Sequence, residues 1–267
     1  MKYKLISMDF DGTLLTSDKK VSDKTKNVLL KCKSKGYIIV GVTARNLSSI
    51  QSVCDINIFD YLIINNGSYI YNVKDKIGVE KTHIERKIAI ELTNKFKDIA
   101  QEIDYCSLNN YYIYKGSEKN KLSYRVQIKD ISEIKETISR MNIFLKNSKE
   151  IEEGKKFIEE NFNSINAFEM LDTDNNRGNK WISINPKDID KFKALKSLCL
   201  DLDIEIEEAI FFGDSTNDLP AISNVGLGVA MGNALEEVKK KAKEITLSND
   251  KDGIAVFLEK IIEINIK

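Results

Sequence analysis

Asp9 and Asp11 stand two residues apart where an apolar run, Leu5-Ile6-Ser7-Met8, gives way to Gly12 and Thr13. On a strand that continued through them, both carboxylates would project to the same side, because side chains alternate with period two. Like charges that close oppose each other unless a cation or a shared proton relieves them. A second apolar run, Ala209-Ile210-Phe211-Phe212, delivers Asp214, Asn217 and Asp218 into a loop that opens with Gly213. In open α/β sheets, ligands bind beyond the carboxyl ends of the strands, where both acidic loops fall. Two further groups suit an anionic ligand. The run Ile38-Ile39-Val40-Gly41-Val42 ends in Thr43, a hydroxyl donor, followed by Ala44 and Arg45. A lysine cluster, Lys187, Lys191 and Lys193, leads into the helical spacing Phe192, Leu195, Leu198.

Asp-x-Asp-Gly-Thr early, a strand-end threonine, a lysine, and Gly-Asp-x-x-Asn-Asp late: in this order the chain resembles the haloacid dehalogenase superfamily of phosphohydrolases. Asn66-Gly67, Val229-Ala230-Met231-Gly232-Asn233-Ala234 and Asp252-Gly253-Ile254 look like its Cof-type subfamily (IIB). The resemblance covers nearly the whole chain and implies a Rossmann-like parallel α/β core with an inserted α+β cap domain. Aligning Ile189-Asp190-Lys191-Phe192-Lys193-Ala194-Leu195 with the family pattern puts Lys191 in the active site. Phe192 stands where the family often has glycine, which keeps Lys193 as an alternative. Ala44 replaces another common glycine, a small change that leaves backbone access to the phosphate intact.

The residue types carry a consistent chemistry. A phosphate monoester is a dianion, so an anionic nucleophile needs a cation to reach it. Asp9 and Asp214 are hard oxygen ligands suited to Mg²⁺, which screens charge and fixes an in-line approach. Asp9 is then the nucleophile, forming an aspartyl-phosphate. Asp11 protonates the leaving alkoxide and later takes a proton from water. That role needs Asp11 protonated part of the time near neutral pH, with neighbouring carboxylates pushing its pKa up and the metal opposing them. The resemblance adds the backbone carbonyl of Asp11 as a metal ligand. Thr43 would hold a phosphoryl oxygen, Lys191 would neutralise the transferring group, Asn217 would donate its amide, and Asp218 would support the metal ligands from behind. Ser215 and Thr216 read as loop caps. An arginine at position 45 could reach substrate, but an exposed arginine is usually only solvated.

Composition bounds the function. The 267 residues suffice for two domains and a sizeable core. Basic and acidic residues both number 41, so no net charge draws nucleic acid or an anionic membrane. No apolar run approaches the ~20 residues of a membrane span, and Met1-Lys2-Tyr3-Lys4 leads into a core strand rather than a signal peptide. Cys32, Cys54, Cys106 and Cys199 lack the paired spacing of zinc or redox sites and read as reduced thiols of a cytoplasmic protein. The sole histidine, His83, has no partner for a histidine-rich metal site.

The alternation of strands and helices at both ends predicts a parallel sheet with crossover helices over residues 1–82 and 184–267. Helices are expected from Ser22 or Asp23 to Gly36, and over residues 47–53, 235–245 and 254–262. Residues 83–183 read as the insertion: helical patterns at 84–103 and 131–141, strands near Tyr111-Tyr112-Ile113-Tyr114, 122–128 and 165–171. The resemblance makes this insertion a cap closing over the site. Asp172-Thr173-Asp174-Asn175-Asn176 is like a calcium loop, but Arg177 fills the glycine position and Ser183 the glutamate position, so no calcium site is expected. The loop over residues 172–180 could contact substrate, although a solvated hairpin is the plainer reading. The tyrosines from Tyr105 to Tyr114 could stack on a ring, although packing is commoner for strand tyrosines.

The expected function is therefore a Mg²⁺-dependent phosphatase of small phosphorylated metabolites, sugar phosphates first by resemblance. The alternatives are a phosphotransferase or mutase, a phosphatase of flavin, pyridoxal or nucleotide phosphates, and a catalytically silent binding module. A transporting ATPase would need membrane spans, and dehalogenation would not need Asp11. Oligomeric state is not legible.

Overall fold

The computed structural model describes residues 2–116, 122–171 and 180–264. Its strands are β1 (Leu5–Asp9), β2 (Ile38–Val42), β3 (Tyr61–Ile64), β4 (Tyr69–Asn72), β5 (Ile77–Glu80), β6 (Glu102–Cys106), β7 (Tyr111–Lys115), β8 (Arg125–Gln127), β9 (Arg140–Phe144), β10 (Ile165–Leu171), β11 (Lys180–Pro186), β12 (Ala209–Gly213), β13 (Leu227–Ala230) and β14 (Glu244–Ile245). Its helices are α1 (Asp23–Ser34), α2 (Leu47–Gln51), α3 (Arg86–Phe96), α4 (Ser148–Asn161), α5 (Lys191–Asp201), α6 (Leu219–Asn224), α7 (Glu236–Lys241) and α8 (Gly253–Ile264). The chain forms two compact units. One comprises Met1–Arg45, Ile50–Lys81 and Asp190–Lys267, the other Asn46–Ser49 and Thr82–Ile189.

The first unit is built on an eight-stranded sheet in the order β14-β13-β12-β1-β2-β3-β4-β5. From β14 to β3 all pairings are parallel, and β4 and β5 append as an antiparallel hairpin. Strands β1 and β12 are buried along their whole length. That explains why both read as continuous apolar runs rather than alternating ones. Helix α1 begins where Ser22 accepts a hydrogen bond from the Thr25 amide at 3.1 Å, the N-cap the sequence signals. The helix expected over 235–245 is shorter: α7 ends at Lys241 and the chain extends into β14 beside β13.

The second unit carries a six-stranded sheet, β10-β11-β9-β6-β7-β8, antiparallel except between β7 and β8. Ile88, Leu92 and Phe96 of α3 and Ile151 and Ile158 of α4 share one core with Ile103, Tyr105, Met141, Ile143, Ile182 and Ile184. On β6, Asp104 is buried and accepts a hydrogen bond from Asn142 Nδ2 at 2.7 Å. Burial pushes the Asp104 carboxyl up to about 6, against the pull of Arg140 and Asn142. The tyrosines here pack: Tyr105 is buried with its hydroxyl 2.6 Å from Thr93 Oγ1, and Tyr112 and Tyr114 lie against the core.

Two expectations for this unit fail. Residues 131–141 carry a helical apolar spacing, yet they form a short 3₁₀ turn at Ile131–Glu133 and lead into β9. Pairing with β6 and β11 outweighs the local pattern. The break expected between residues 183 and 184 falls between Ile189 and Asp190. Ile184 is still in the ladder, opposite Met141 and Ala167, and β11 ends only at Pro186. The loop over residues 172–180, including the calcium-like stretch, lies outside the described residues but for Lys180.

Candidate active site

Adjacent parallel strands bring the two acidic loops together. Met8 stands opposite Phe212, so β1 and β12 release their loops side by side at their carboxyl ends. Phe10 is fully buried with its ring centroid 5.5 Å from that of Phe59, and a Cβ at Gly41 would lie 2.6 Å from that ring. Gly12 follows with φ of +81°, a conformation glycine adopts at little cost. A Cβ there would come within 2.4 Å of Asp214 Oδ2, so the bare backbone lets the first loop approach the second.

Lys191 lies at the centre of the cluster. It is the first residue of α5, whose N-cap Asp190 accepts from the Lys193 amide at 2.8 Å. That cap turns Lys191 inward, 2% exposed, and leaves Lys193 on the exposed side. Lys191 Nζ donates to Asp9 Oδ1 at 2.5 Å, Asp218 Oδ1 at 2.7 Å and Asn217 Oδ1 at 3.5 Å. The second oxygen of Asp218 is saturated by the amides of Asp214 at 3.1 Å and Ser215 at 3.2 Å and by the Ser215 hydroxyl at 3.2 Å. Ser215 thus shapes the loop, as its type suggests.

Two carboxylates, Asp9 and Asp218, therefore share one ammonium, with Asp214 close by. Burial pushes the Asp9 carboxyl up, with Asp218 and Asp214 adding to it, while Lys191 pulls it down. Burial of Lys191 disfavours its charge, but Asp218 and Asp9 outweigh that and hold the ammonium protonated. Asp214 is pushed up to about 6 by burial and by Asp218, against the hydrogen bond that Thr13 Oγ1 donates to its Oδ1 at 3.0 Å.

Asp11 behaves otherwise. Burial favours its neutral form, but Arg45 donates through Nε to Oδ2 and through Nη2 to Oδ1, each at 2.7 Å. Lys19 Nζ adds a contact to Oδ1 at 3.2 Å. The two cations hold Asp11 below the usual carboxylate range, opposite to the upward push expected from its acidic neighbours. Arg45 is accordingly a partner of the acidic loops rather than a solvated side chain, and Lys19 is a second cation that no sequence motif marks. A cation two residues past a strand-end threonine was the available sign of Arg45.

The remaining predicted residues sit nearby or at the surface. Thr43 is buried; its Oγ1 accepts from the Arg45 amide at 3.1 Å, which leaves its hydroxyl hydrogen to donate. Ala44 follows it in the same loop, half-buried. Asn217 is exposed and accepts from Ser215 Oγ at 2.6 Å through its oxygen, while its amide makes no hydrogen bond among the described residues. His83 is exposed and far in sequence from every acidic loop.

The donor set fits a hard divalent cation. One carboxylate oxygen each of Asp9, Asp214 and Asp218 can lie within 4.8 Å of the others. Asp9 Oδ2 and Asp214 Oδ2 accept no hydrogen bond among the described residues. Negative charge there exceeds what Lys191 supplies, and oxygen-only ligands suit Mg²⁺.

The chain is similar to known proteins along nearly its whole length. The model of the haloacid dehalogenase-like hydrolase family matches residues 6–258. The chain is 27% identical over 257 residues to the 5-amino-6-(5-phospho-D-ribitylamino)uracil phosphatase YcsE of Bacillus subtilis, covering 94% of this chain and 93% of that one. Its fold is similar to a haloacid dehalogenase-like hydrolase of Bacteroides thetaiotaomicron, at TM-score 0.82 and 25% identity, covering 97% and 99% of the two chains. It also matches the fold of the subclass IIB sugar phosphatase BT4131, at TM-score 0.74 and 22% identity, over 97% and 98%. The chain belongs to the haloacid dehalogenase-like hydrolases, in their Cof-type branch, and is a phosphoric monoester hydrolase.

Proposed function

We propose that this haloacid dehalogenase-like hydrolase is a Mg²⁺-dependent phosphatase of small phosphorylated metabolites, sugar phosphates foremost, working through an aspartyl-phosphate on Asp9. The observation that carries the reading is Lys191, buried between Asp9 and Asp218 with Asp214 in reach, at the carboxyl ends of neighbouring strands. Asp9 and Asp214, with the Asp11 carbonyl, would hold Mg²⁺, which supplies positive charge to the phosphoryl oxygens. Asp218 has both oxygens engaged and serves by fixing Lys191 and the Asp214 loop.

A carboxylate oxygen of Asp9 attacks phosphorus, and the bond from phosphorus to the ester oxygen breaks. Asp11 gives the leaving oxygen a proton. Asp11, now ionised, takes a proton from water, whose oxygen attacks the same phosphorus; the bond to Asp9 breaks and inorganic phosphate leaves. Lys191, the Thr43 hydroxyl, the Ala44 amide and the Asn217 amide face the phosphoryl oxygens and stabilise the charge that builds there. An anionic substrate competes with Asp11 for Arg45, and release of that clamp raises the Asp11 pKa toward its acid role. The four free cysteines suit a cytosolic enzyme.

The test is phosphate release from a panel of phosphorylated metabolites, with Mg²⁺ or with chelator. The panel holds hexose and pentose phosphates, pyridoxal and flavin phosphates, nucleotides and 5-amino-6-(5-phospho-D-ribitylamino)uracil, whose phosphorylated ribityl chain is the same kind of ester. Turnover in Mg²⁺ alone, with an acyl-phosphate lost in Asp9→Asn, is expected. Full turnover in chelator, or an active Asp9→Asn enzyme, would overturn the reading.

A further inference from the structure

Between β3 and β4 the chain passes through Asn65, Asn66 and Gly67 with φ of +52°, +57° and +104°. Asn65 and Gly67 are buried, so the left-handed run is packed on both sides of Asn66. The loop joins Ile64 to Tyr69, a cross-strand pair, through four residues. Hairpin loops of that length are most often built around a type I turn, whose central residues have negative φ. Closing the hairpin therefore does not require this backbone. A left-handed residue other than glycine costs free energy and persists where its surroundings impose it, most often beside a functional site.

The surroundings here are two parts of the active site. The Asn65 amide donates to the Arg45 carbonyl and the Asn66 amide to the Thr43 carbonyl, each at 3.0 Å. Two successive N–H groups thus hold the carbonyls on either side of Ala44. Gly67 lies against the start of α5: a Cβ there would stand 2.7 Å from the Asp190 carbonyl oxygen and 3.0 Å from Ala194 Cβ. Asp190 is the N-cap of that helix and Lys191 its first residue. The same short turn therefore grips the loop after β2 on one side and the root of Lys191 on the other.

We propose that Asn65-Asn66-Gly67 is a positioning turn for the phosphoryl pocket, setting the distance between the Thr43–Arg45 loop and Lys191 through its left-handed backbone. The inference rests on the function proposed above, in which the Thr43 hydroxyl, the Ala44 amide and the Lys191 ammonium meet one phosphoryl group. Donors from separate segments stabilise that charge only if each stands at hydrogen-bond distance from its oxygen. Asp9, Asp11 and Asp214 are carried by β1, β12 and the loops after them. Anion binding should therefore respond to the turn, and metal binding should not.

Calorimetric titration of the full chain with inorganic phosphate, in Mg²⁺, tests this. Left-handed backbone is open to glycine and tolerable to asparagine, costly to alanine, and most costly to a β-branched residue. Asn66→Gly should keep the phosphate dissociation constant within about twofold of wild type. Asn66→Ala should raise it about threefold and Asn66→Val at least about tenfold, with kcat/KM on an aryl phosphate falling in the same order. The Mg²⁺ dissociation constant, titrated without phosphate, should stay at the wild-type value in all three. A general loss of structure would weaken both ligands, whereas a misplaced pocket weakens phosphate alone. If Asn66→Val does not fold, Asn66→Ala decides. Phosphate binding unaltered in Asn66→Ala overturns the proposal, and so does an Asn66→Gly variant as damaged as Asn66→Ala. A wild-type chain that binds phosphate and turns over esters, with variants that do the same, fails this inference alone. A wild-type chain that does neither fails the proposed function with it.

Discussion

Arg45 grips both carboxylate oxygens of Asp11, Nε on Oδ2 and Nη2 on Oδ1, each at 2.7 Å. The two residues come from loops after neighbouring strands, β1 and β2. The fork geometry is one a lysine could not reproduce. It favours the ionised form of the group proposed to give the leaving oxygen its proton. Removing a cation that favours a carboxylate raises that carboxylate's pKa. In Arg45→Ala, the alkaline limb of kcat/KM on a poor leaving group, which reports the free enzyme, should therefore move up by at least about one pH unit. Lys19→Ala should move it the same way but less, since its contact is single and longer. A limb that stays put in Arg45→Ala would separate Asp11 from the acid role.

Lys191→Met keeps the length of the side chain and removes its charge. Asp9 and Asp218 would then face each other uncompensated in a buried site, which costs about 3–5 kcal/mol of stability. Turnover should fall by about 10²-fold or more. Mg²⁺ should restore part of the lost melting temperature and little of the turnover. A variant as stable as wild type in chelator would show that the ammonium is not what balances these carboxylates.

Binding of Mg²⁺ should depend on pH, because protons compete for the same oxygens. Asp214 is pushed up to about 6 and burial raises Asp9 as well, so at pH 5 the cation must displace protons and at pH 8 far fewer. The rise in melting temperature with about 5 mM Mg²⁺, an excess for a site of ordinary affinity, should be larger at pH 8 than at pH 5. Equal stabilisation at both would mean that the cation binds elsewhere.

The candidate site was legible because its carriers are fully buried strands. β1 and β12 announce themselves as unbroken apolar runs, and the glycines after them mark where the chain must turn. Asp9 and Asp214 followed from those positions, and Lys191, with Lys193 as its alternative, from the family resemblance. Arg45 did not, since only the folded loops show that its guanidinium meets Asp11 rather than water. The second unit was harder. α4 was not anticipated at all, and the apolar spacing of 131–141 proved to serve sheet and turn contacts instead of a helix. Short strands and helices there take their conformation from distant pairing, which periodicity within the segment does not record.

Asp104 offers a pH test in the second unit. Its carboxyl is near 3.8 unfolded and pushed up to about 6 by burial when folded. Between those values the folded chain holds a proton the unfolded chain has lost, so stability falls as pH rises from about 4 to 6 and stays lower above. The lost amount is about 3 kcal/mol at most. The stability difference between Asp104→Asn and wild type should therefore shift in favour of the variant by that amount between pH 4 and pH 7. A difference that does not vary with pH would place the Asp104 titration elsewhere.

The pairing of Leu5 with Ala209 has a consequence during synthesis. β1 leaves the ribosome early, acquires β2 soon after, and must wait roughly 200 residues for its other neighbour. At about 5–20 residues per second that wait lasts ~10–40 s. Throughout it, one side of an apolar strand offers unpaired amides and carbonyls to any passing chain, a natural target for a chaperone that holds nascent polypeptides. Ribosome-bound chains stalled near residue 200 should leave β1 open to protease, and chains stalled well beyond residue 250 should protect it. Equal protection at both lengths would mean that some earlier segment shields that side until β12 arrives.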